Sequence, residues 1–227
     1  MQWIKSNIQW IGGVDCYEAM RICEIAARTC YRSEDKIGEG TAERIIKNCL
    51  KNGHESVIEH VQLTFEVTCD RAVSHQWVRH RLSSYSQESQ RYCNYNKDKF
   101  NNEVVFVYPT WAEELLQWDH ASNDPLVMQM TSIKNSCFIA EQTYLNLIKN
   151  GAKPEDARAV LPNCTKTQFI WSANMREIRH FIQLRATKNA QPDIRKLAIQ
   201  LYDILQHEGF GAFLEGIEVY NDKCIAN

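Results

Sequence analysis

Glycine-rich phosphate-binding loops are missing from this chain, which has nine glycines and five prolines among 227 residues. No GxGxxG motif follows a strand-like segment, and the P-loop motif, GxxxxGK followed by Ser or Thr, does not occur. A standard dinucleotide-binding fold is therefore not expected. If a nucleotide binds, arginines and helix N-termini must hold its phosphates.

Long apolar segments are also missing. The N-terminal sequence MQWIKSNIQW has no continuous apolar run, and no later stretch has the roughly 20 apolar residues that a membrane-spanning helix needs. We therefore expect a cytoplasmic protein with no membrane partner.

The nine cysteines include no CxxC pair, and their number is odd. This pattern argues against a disulfide framework or a zinc ribbon. We interpret most of them as small buried hydrophobic side chains in a reducing compartment. The histidines of GHESVIEH lack the HExxH spacing of a zinc site, and no metal is predicted.

A short cluster of arginines stands out in a chain whose formal net charge is −2. The segment SHQWVRHRLSSYSQESQRY holds Arg79, His80, Arg81 and Arg91 among hydroxyl and amide side chains. Proteins that bind nucleic acid through its phosphates are usually basic as a whole. The local cluster therefore suits a small phosphorylated ligand better than a long polyanion.

Two further arginines stand beside apolar sequence, and we expect both to be partly buried. Arg158 precedes AVLP, and Arg185 follows HFIQL. A buried arginine needs an anion, and its planar guanidinium suits phosphate or carboxylate. Ordinary surface salt bridges remain an alternative for the arginines as a group. No GxSxG elbow is present, which disfavours Ser89 as a nucleophile.

Apolar periodicity predicts helices and strands in a mixed order. Helices are predicted over residues 15–30, 41–54, 71–81, 126–148, 153–162, 175–186 and 193–207, and strands over 60–70, 103–109 and 163–174. Repeats, long linkers and regular βαβ alternation are not found. The order favours an α+β fold with a mainly antiparallel sheet and several long helices, in a single domain over residues 1–227.

The basic segment also carries a known signature. Arg79-His80-Arg81, then seven residues, then Ser89, with Arg91 and Tyr92 following, resembles the RHR motif of the flavin-dependent thymidylate synthases. Upstream, NGHESVIEHVQLTFEV and QWVRHR are similar to further family passages. Downstream, DARAVLP and WSANMREIRHFIQLRA are similar to the second half of the family. The resemblance covers some four-fifths of the chain.

The resemblance implies a specific reaction. Family members convert dUMP to dTMP, taking the one-carbon unit from methylenetetrahydrofolate and the reducing hydride from NADPH through bound FAD. They are homotetramers of an α+β fold, with active sites built where subunits meet.

The resemblance also implies site residues. The implied flavin contacts are His54, Ser56, Arg79, His80, Arg81, Asn174, Arg176 and His180. The implied dUMP contacts are Gln76, Arg79, Ser89, Gln90, Arg91, Arg158 and Arg185, with Gln87 and Glu88 between the two ligands. Arg185 is implied to stabilise negative charge on the pyrimidine ring, which a guanidinium does without gaining or losing a proton. Ser89 is implied to lie near the reacting ring as a positioning group.

Two departures from the family pattern leave alternatives open. Ser86 stands where the family often has Asn, and Asn189 stands where it commonly has His. A relative that binds nucleotide or flavin without catalysis is one alternative. The other is a single-stranded nucleic-acid-binding module that stacks bases on Trp77, Tyr85 and Tyr92.

Overall fold

A computed structural model describes residues 1–113, 115 and 123–220. The strands are β1 (Gln2–Ile4), β2 (Asn7–Gly13), β3 (Gln62–Asp70), β4 (Ser83–Gln87), β5 (Val105–Val107) and β6 (Lys166–Asn174). The helices are α1 (Cys16–Thr29), α2 (Thr41–Lys51), α3 (Arg71–Trp77), α4 (Pro125–Lys149), α5 (Pro154–Ala157), α6 (Met175–Arg185) and α7 (Pro192–His207). No helix within these described ranges is long and apolar enough to cross a membrane.

Two sheets organise the strands. Four strands form an antiparallel sheet in the order β2-β3-β6-β4, and β1 pairs with β5 in a small parallel sheet. In β3 and β6 alternate residues are buried, as the period-two apolar pattern of both strands requires. The predicted α+β class with a mainly antiparallel sheet is confirmed.

The chain divides into two compact units. The first unit comprises Met1–Asn7, Val67–Trp77 and Ser86–Phe169, and the second comprises Ile8–Glu66, Val78–Tyr85 and Ile170–Asn227. That residues 1–227 form a single domain stays a prediction.

The core of the second unit contains a cluster of aromatic side chains. The Trp171 ring is fully buried, with its centroid 5.7 Å from that of Phe65 and 5.3 Å from that of Phe181. Phe181 lies on α6, whose N-cap is Asn174. The cluster therefore packs α6, which carries several predicted site residues, onto strands β3 and β6.

The core of the first unit is built around α4. Tyr144 is fully buried on this helix, and its hydroxyl accepts a hydrogen bond from the Tyr95 backbone N–H at 3.3 Å. Glu141, one turn earlier, accepts from the Val104 N–H at 2.8 Å and lies 3.1 Å from the N-terminal ammonium group. A buried carboxylate needs such partners, and these two contacts fix the segment that leads into β5.

The structure corrects the prediction of one helix over residues 71–81. The helix α3 ends at Trp77, and Ser83–Gln87 form the strand β4, which the sequence did not predict. The Tyr85 hydroxyl donates to the carbonyl oxygen of His80 at 2.7 Å, a contact that belongs to the turn and not to a helical ladder. Strands β1 and β2 were also missed: β1 spans only three residues, and in β2 the alternation of Ile8 and Trp10 is interrupted by Ile11 and two glycines.

Candidate active site

The RHR motif lies in the turn between α3 and β4. Arg79 and Arg81 are exposed, whereas the intervening His80 is only 4% exposed. The His80 ring packs edge-on against Phe181, with ring centroids 4.9 Å apart. The turn therefore presents two cations at the surface and holds an imidazole inside the second unit.

His80 is the centre of a short chain of polar contacts with α6. The Arg185 Nε–H donates to His80 Nε2 at 3.2 Å, and His80 Nδ1 lies 3.5 Å from Glu177 Oε1. The ring of His180 is 5.7 Å away. Burial, and next the charges of Arg185 and His180, lower the pKa of His80 to about 4. His80 is therefore neutral at pH 7.

The lowered pKa of His80 predicts a pH dependence of stability. The unfolded chain binds the proton at a pKa near 6.5 and the folded chain at about 4. Stability from neutral His80 is therefore fully present above pH 6.5 and is lost as the pH falls towards 4. Between pH 6.5 and pH 4 the melting temperature of the parent should therefore fall more than that of a His80→Gln variant, which has no titrating group at this position.

Thermal unfolding of the parent and His80→Gln between pH 4 and pH 8 checks this expectation. Glu177 has a smaller and opposite effect on stability. Burial raises the pKa of its carboxyl group, so its protonation favours the folded chain as the pH falls. A His207→Gln variant is the control, since the His207 side chain is 86% exposed. If the melting temperatures of the parent and His80→Gln change in parallel with pH, the lowered pKa of His80 is contradicted.

A pocket of about 400 Å³ in the second unit gathers three of the predicted flavin contacts. His54, Ser56 and Arg176 line it together with Gly53 and Tyr31. Gly53 has φ +72°, a left-handed conformation that glycine adopts without strain, and it ends the second helix. The chain can therefore turn directly from the helix into the pocket wall.

Arg176 supplies the pocket with a guanidinium that is about half exposed. Its Nη1 donates to Glu59 at 2.6 Å, and its Nε lies 3.3 Å from Glu55. These carboxylates fix the direction of the side chain. An anionic ligand in this pocket would share the Arg176 guanidinium with these carboxylates or displace them from it.

Asn174 and His180 also lie in the second unit: His180 is on α6 with Arg176, and Asn174 is the last residue of β6, just before that helix. The Asn174 side-chain oxygen accepts from the Glu177 backbone N–H at 2.9 Å and caps α6. His180 is exposed. The sequence prediction placed both with the flavin, and the structure adds the cap as a structural role for Asn174.

Most of the residues predicted for dUMP lie in the first unit. The Gln87 amide donates to the Thr167 hydroxyl at 3.0 Å. Glu88 accepts from Lys166 Nζ at 2.8 Å, and its backbone N–H donates to the Gln168 carbonyl at 2.8 Å. These contacts tie the end of β4 to β6, and Gln76 and Gln90 are each half-buried in the same unit.

Arg91 and Arg158 converge on one residue. Arg91 Nε lies 3.2 Å from the Glu155 carboxylate, and Arg158 Nε donates to the Glu155 backbone carbonyl at 3.2 Å. Ser89 begins the turn that carries Arg91, and its hydroxyl accepts from the Arg91 backbone N–H at 3.3 Å. Arg158 and Arg185 are both half-buried, as predicted.

The structure thus brings the predicted residues together in groups within each unit. His80, His180 and Arg185 form one group, and His54, Ser56 and Arg176 line one pocket. The sequence missed Glu155, Lys166 and Glu177. Glu177 stands three residues after Asn174, the usual position of a capping-box glutamate, so its sequence context indicated only a helix start.

Comparison with known proteins defines the class of the chain. Residues 14–208 match the family described as thymidylate synthase complementing protein. A flavin-dependent thymidylate synthase from Geobacter sulfurreducens is 35% identical over 189 residues, which cover 80% of this chain and 75% of the relative.

Further relatives bear the same description. One from Mycolicibacterium gilvum is 35% identical over 202 residues, covering 86% of this chain and 77% of the relative. One from Thermococcus onnurineus is 36% identical over 166 residues, covering 72% of this chain but only 62% of the relative. The chain belongs to the flavin-dependent thymidylate synthase family, and the resemblance seen in the RHR motif is confirmed. Membership selects the enzyme over the nucleic-acid-binding module.

Proposed function

We propose that this chain converts dUMP to dTMP, with methylenetetrahydrofolate as carbon donor, NADPH as hydride source and FAD as cofactor. The observation that carries the proposal is the hydrogen bond between Arg185 and His80 at 3.2 Å. It joins the RHR turn to the arginine that the family resemblance assigns to the pyrimidine ring. The two lie 105 residues apart in sequence.

The residues of the second unit fit a flavin dinucleotide. FAD has a diphosphate and several hydrogen-bonding edges, and the pocket offers a guanidinium, an imidazole and a hydroxyl from Arg176, His54 and Ser56. Arg79, His80, Arg81, Asn174 and His180 complete the proposed flavin contacts. When bound, the flavin supplies the reducing chemistry, and the protein supplies binding and orientation.

Arg185 is proposed as the residue that stabilises the activated pyrimidine. C5 of uracil becomes nucleophilic only if negative charge grows on the ring. A guanidinium stays charged at any pH the protein survives and has fixed donor geometry, so it stabilises this charge without a proton transfer. The bond from Arg185 Nε to His80 fixes one edge of the guanidinium plane.

The arginines of the first unit are proposed to hold the phosphate of dUMP. Arg91 and Arg158 both already contact Glu155: Arg158 donates to its backbone carbonyl, and Arg91 Nε lies against its carboxylate. The carboxylate thus occupies the Arg91 Nε–H that a phosphate would use. Ser89 is proposed as a positioning group near the ring, since no covalent protein nucleophile is required. The remaining proposed dUMP contacts are Gln76, Arg79, Gln87, Glu88 and Gln90.

Replacing Glu155 with Gln should tighten dUMP binding. The change removes a carboxylate that competes with phosphate for Arg91, in a pair whose side chains are 54% and 38% exposed. An exposed pair of this kind is worth about 0.2–1 kcal/mol, so we expect a gain of up to about fivefold in affinity. Titration calorimetry with the FAD-loaded protein measures it.

The matched control is Asp156→Asn, which removes the same charge from the neighbouring, exposed position. Equal gains in Glu155→Gln and Asp156→Asn would show a general charge effect. Weaker binding in Glu155→Gln would contradict the placement of phosphate at Arg91.

We propose a homotetramer that acts in the cytoplasm and binds neither nucleic acid nor membrane. Self-association is supported by large apolar side chains that α4 leaves exposed, among them Met128, Phe138 and Ile139 at 59%, 53% and 65%. Apolar surface of this kind is typical of protein interfaces when it is contiguous. Light scattering coupled to size-exclusion chromatography gives the assembled mass.

The purified protein itself tests the function. It should be yellow, its flavin spectrum should be bleached by NADPH more readily when dUMP is present, and dTMP should form only when FAD is bound. A protein that binds FAD and dUMP but forms no dTMP would be the inactive relative. A colourless protein that cannot be reconstituted with FAD would overturn the proposal.

A further inference from the structure

Glu177 has a buried carboxylate that the proposed chemistry has not yet used. Its side chain is 7% exposed and lies on the first turn of α6, with Oε1 3.5 Å from Nδ1 of His80. The His80 side chain is 3% exposed. Taking a carboxylate out of water is costly unless a donor compensates it, so the partner of this carboxylate matters to the site.

The proton on His80 can be located from its neighbours. Arg185 Nε is always a donor, so the His80 Nε2 that receives it carries no hydrogen. Neutral imidazole has one N–H, which must then be at Nδ1. The Nδ1 atom that carries it lies 3.5 Å from Oε1 of Glu177. Arg185 therefore donates to one ring nitrogen of His80, and the Glu177 carboxylate lies within reach of the N–H on the other.

We propose that Glu177 is a positioning residue for Arg185: through the Nδ1–H of His80 it fixes the tautomer that accepts the Arg185 Nε–H, and so orients the guanidinium. The inference rests on the proposed role of Arg185 in binding and activating the pyrimidine. A reversed tautomer would place an N–H against the Arg185 N–H, and the guanidinium would have to turn away. A carboxylate hydrogen-bonded to one ring nitrogen of a histidine commonly fixes the tautomer and the orientation of the ring.

The helix cap does not account for the Glu177 side chain. The cap of α6 uses the Glu177 backbone N–H, which donates to Asn174, and it would persist with any residue except proline at position 177. The carboxylate instead faces His80 from the same helix that carries Arg185 two turns later. A role in helix capping alone therefore leaves the direction of this side chain unexplained.

The unaltered, FAD-loaded protein gives the first test. Imidazole ¹⁵N spectra of protein labelled at histidine should show His80 protonated at Nδ1 and unprotonated at Nε2 at pH 7, with His80→Gln identifying the signals. The same spectrum is expected for Glu177→Gln, whose amide oxygen still accepts a hydrogen bond. A His80 protonated at Nε2 in the unaltered protein would overturn the proposal.

The second test is a double-mutant cycle on dUMP affinity, which isolates the pairwise coupling. Glu177→Ala should weaken dUMP binding about tenfold, the lower end of the range seen when a hydrogen-bond partner of a metal-binding histidine is removed. In the Arg185→Ala background the same change should have almost no effect. Equal losses in both backgrounds would show that Glu177 does not act through Arg185.

Glu208 provides the matched control. It lies 3.3 Å from Nδ1 of His207 in an exposed histidine–glutamate contact, and Glu208→Ala should leave dUMP affinity unchanged. Flavin content and melting temperature are measured for every variant. If Glu177→Ala does not fold, Glu177→Leu, which also lacks a hydrogen-bond acceptor, takes its place in the same double-mutant cycle, and equal losses in both backgrounds would again overturn the proposal. If the unaltered protein binds no dUMP, the proposed function fails, while the tautomer measurement remains valid.

Discussion

Arg185→Ala should reduce the release of tritium from dUMP labelled at C5 by about 10²–10³-fold, the usual loss when one fixed donor to a developing negative charge is removed. The flavin should stay bound, because the proposed FAD pocket is lined by other residues. Tritium release reports the activation of C5 directly. It therefore tests the arginine at the step that the proposal assigns to it.

Two further variants make the result specific. Arg185→Lys keeps the charge but loses the planar donor pair, so it should recover only part of the activity. Arg21→Ala removes an exposed arginine that pairs with Glu18 within α1, and this variant should release tritium at the parent rate. Near-normal release by Arg185→Ala with flavin bound would remove Arg185 from the mechanism.

Among the variants considered, Trp171→Ala should lower the free energy of unfolding most. The ring is fully buried between Phe65 and Phe181, and removing such a side chain costs about 3–5 kcal/mol of unfolding free energy. For a chain of this size we expect a melting temperature lower by roughly 6–20 °C. Phe181 also packs on His80, so flavin content should fall as well.

Thermal unfolding at fixed protein and FAD concentrations measures this effect, because bound ligand shifts the melting temperature. Trp171→Phe, which keeps most of the buried ring, should lose much less. Tyr17→Ala is the control, since the Tyr17 side chain is 80% exposed and its removal should change stability by less than about 0.5 kcal/mol. A melting temperature for Trp171→Ala equal to that of Tyr17→Ala would contradict the packing.

The sequence contained enough to predict the long elements. Strands β3 and β6 follow from strict alternation, and α4 follows from an apolar stripe that ends before Gly151. Each of these signals is local, because the periodicity of one segment decides which of its faces is buried. Strand β4 has no such signal: SSYSQ is polar, and only its partner in the sheet makes it a strand.

The sequence by itself determined the family, through the spacing of the RHR motif and Ser89, and the residue types that its chemistry needs. Only the tertiary structure decided how those residues are used. It buried His80 between two exposed arginines, brought Arg185 to its Nε2 and Glu177 to its Nδ1, and set Glu155 between Arg91 and Arg158. The physical reason is that desolvation and hydrogen-bond pairing depend on neighbours distant in sequence, which no local pattern of residues encodes.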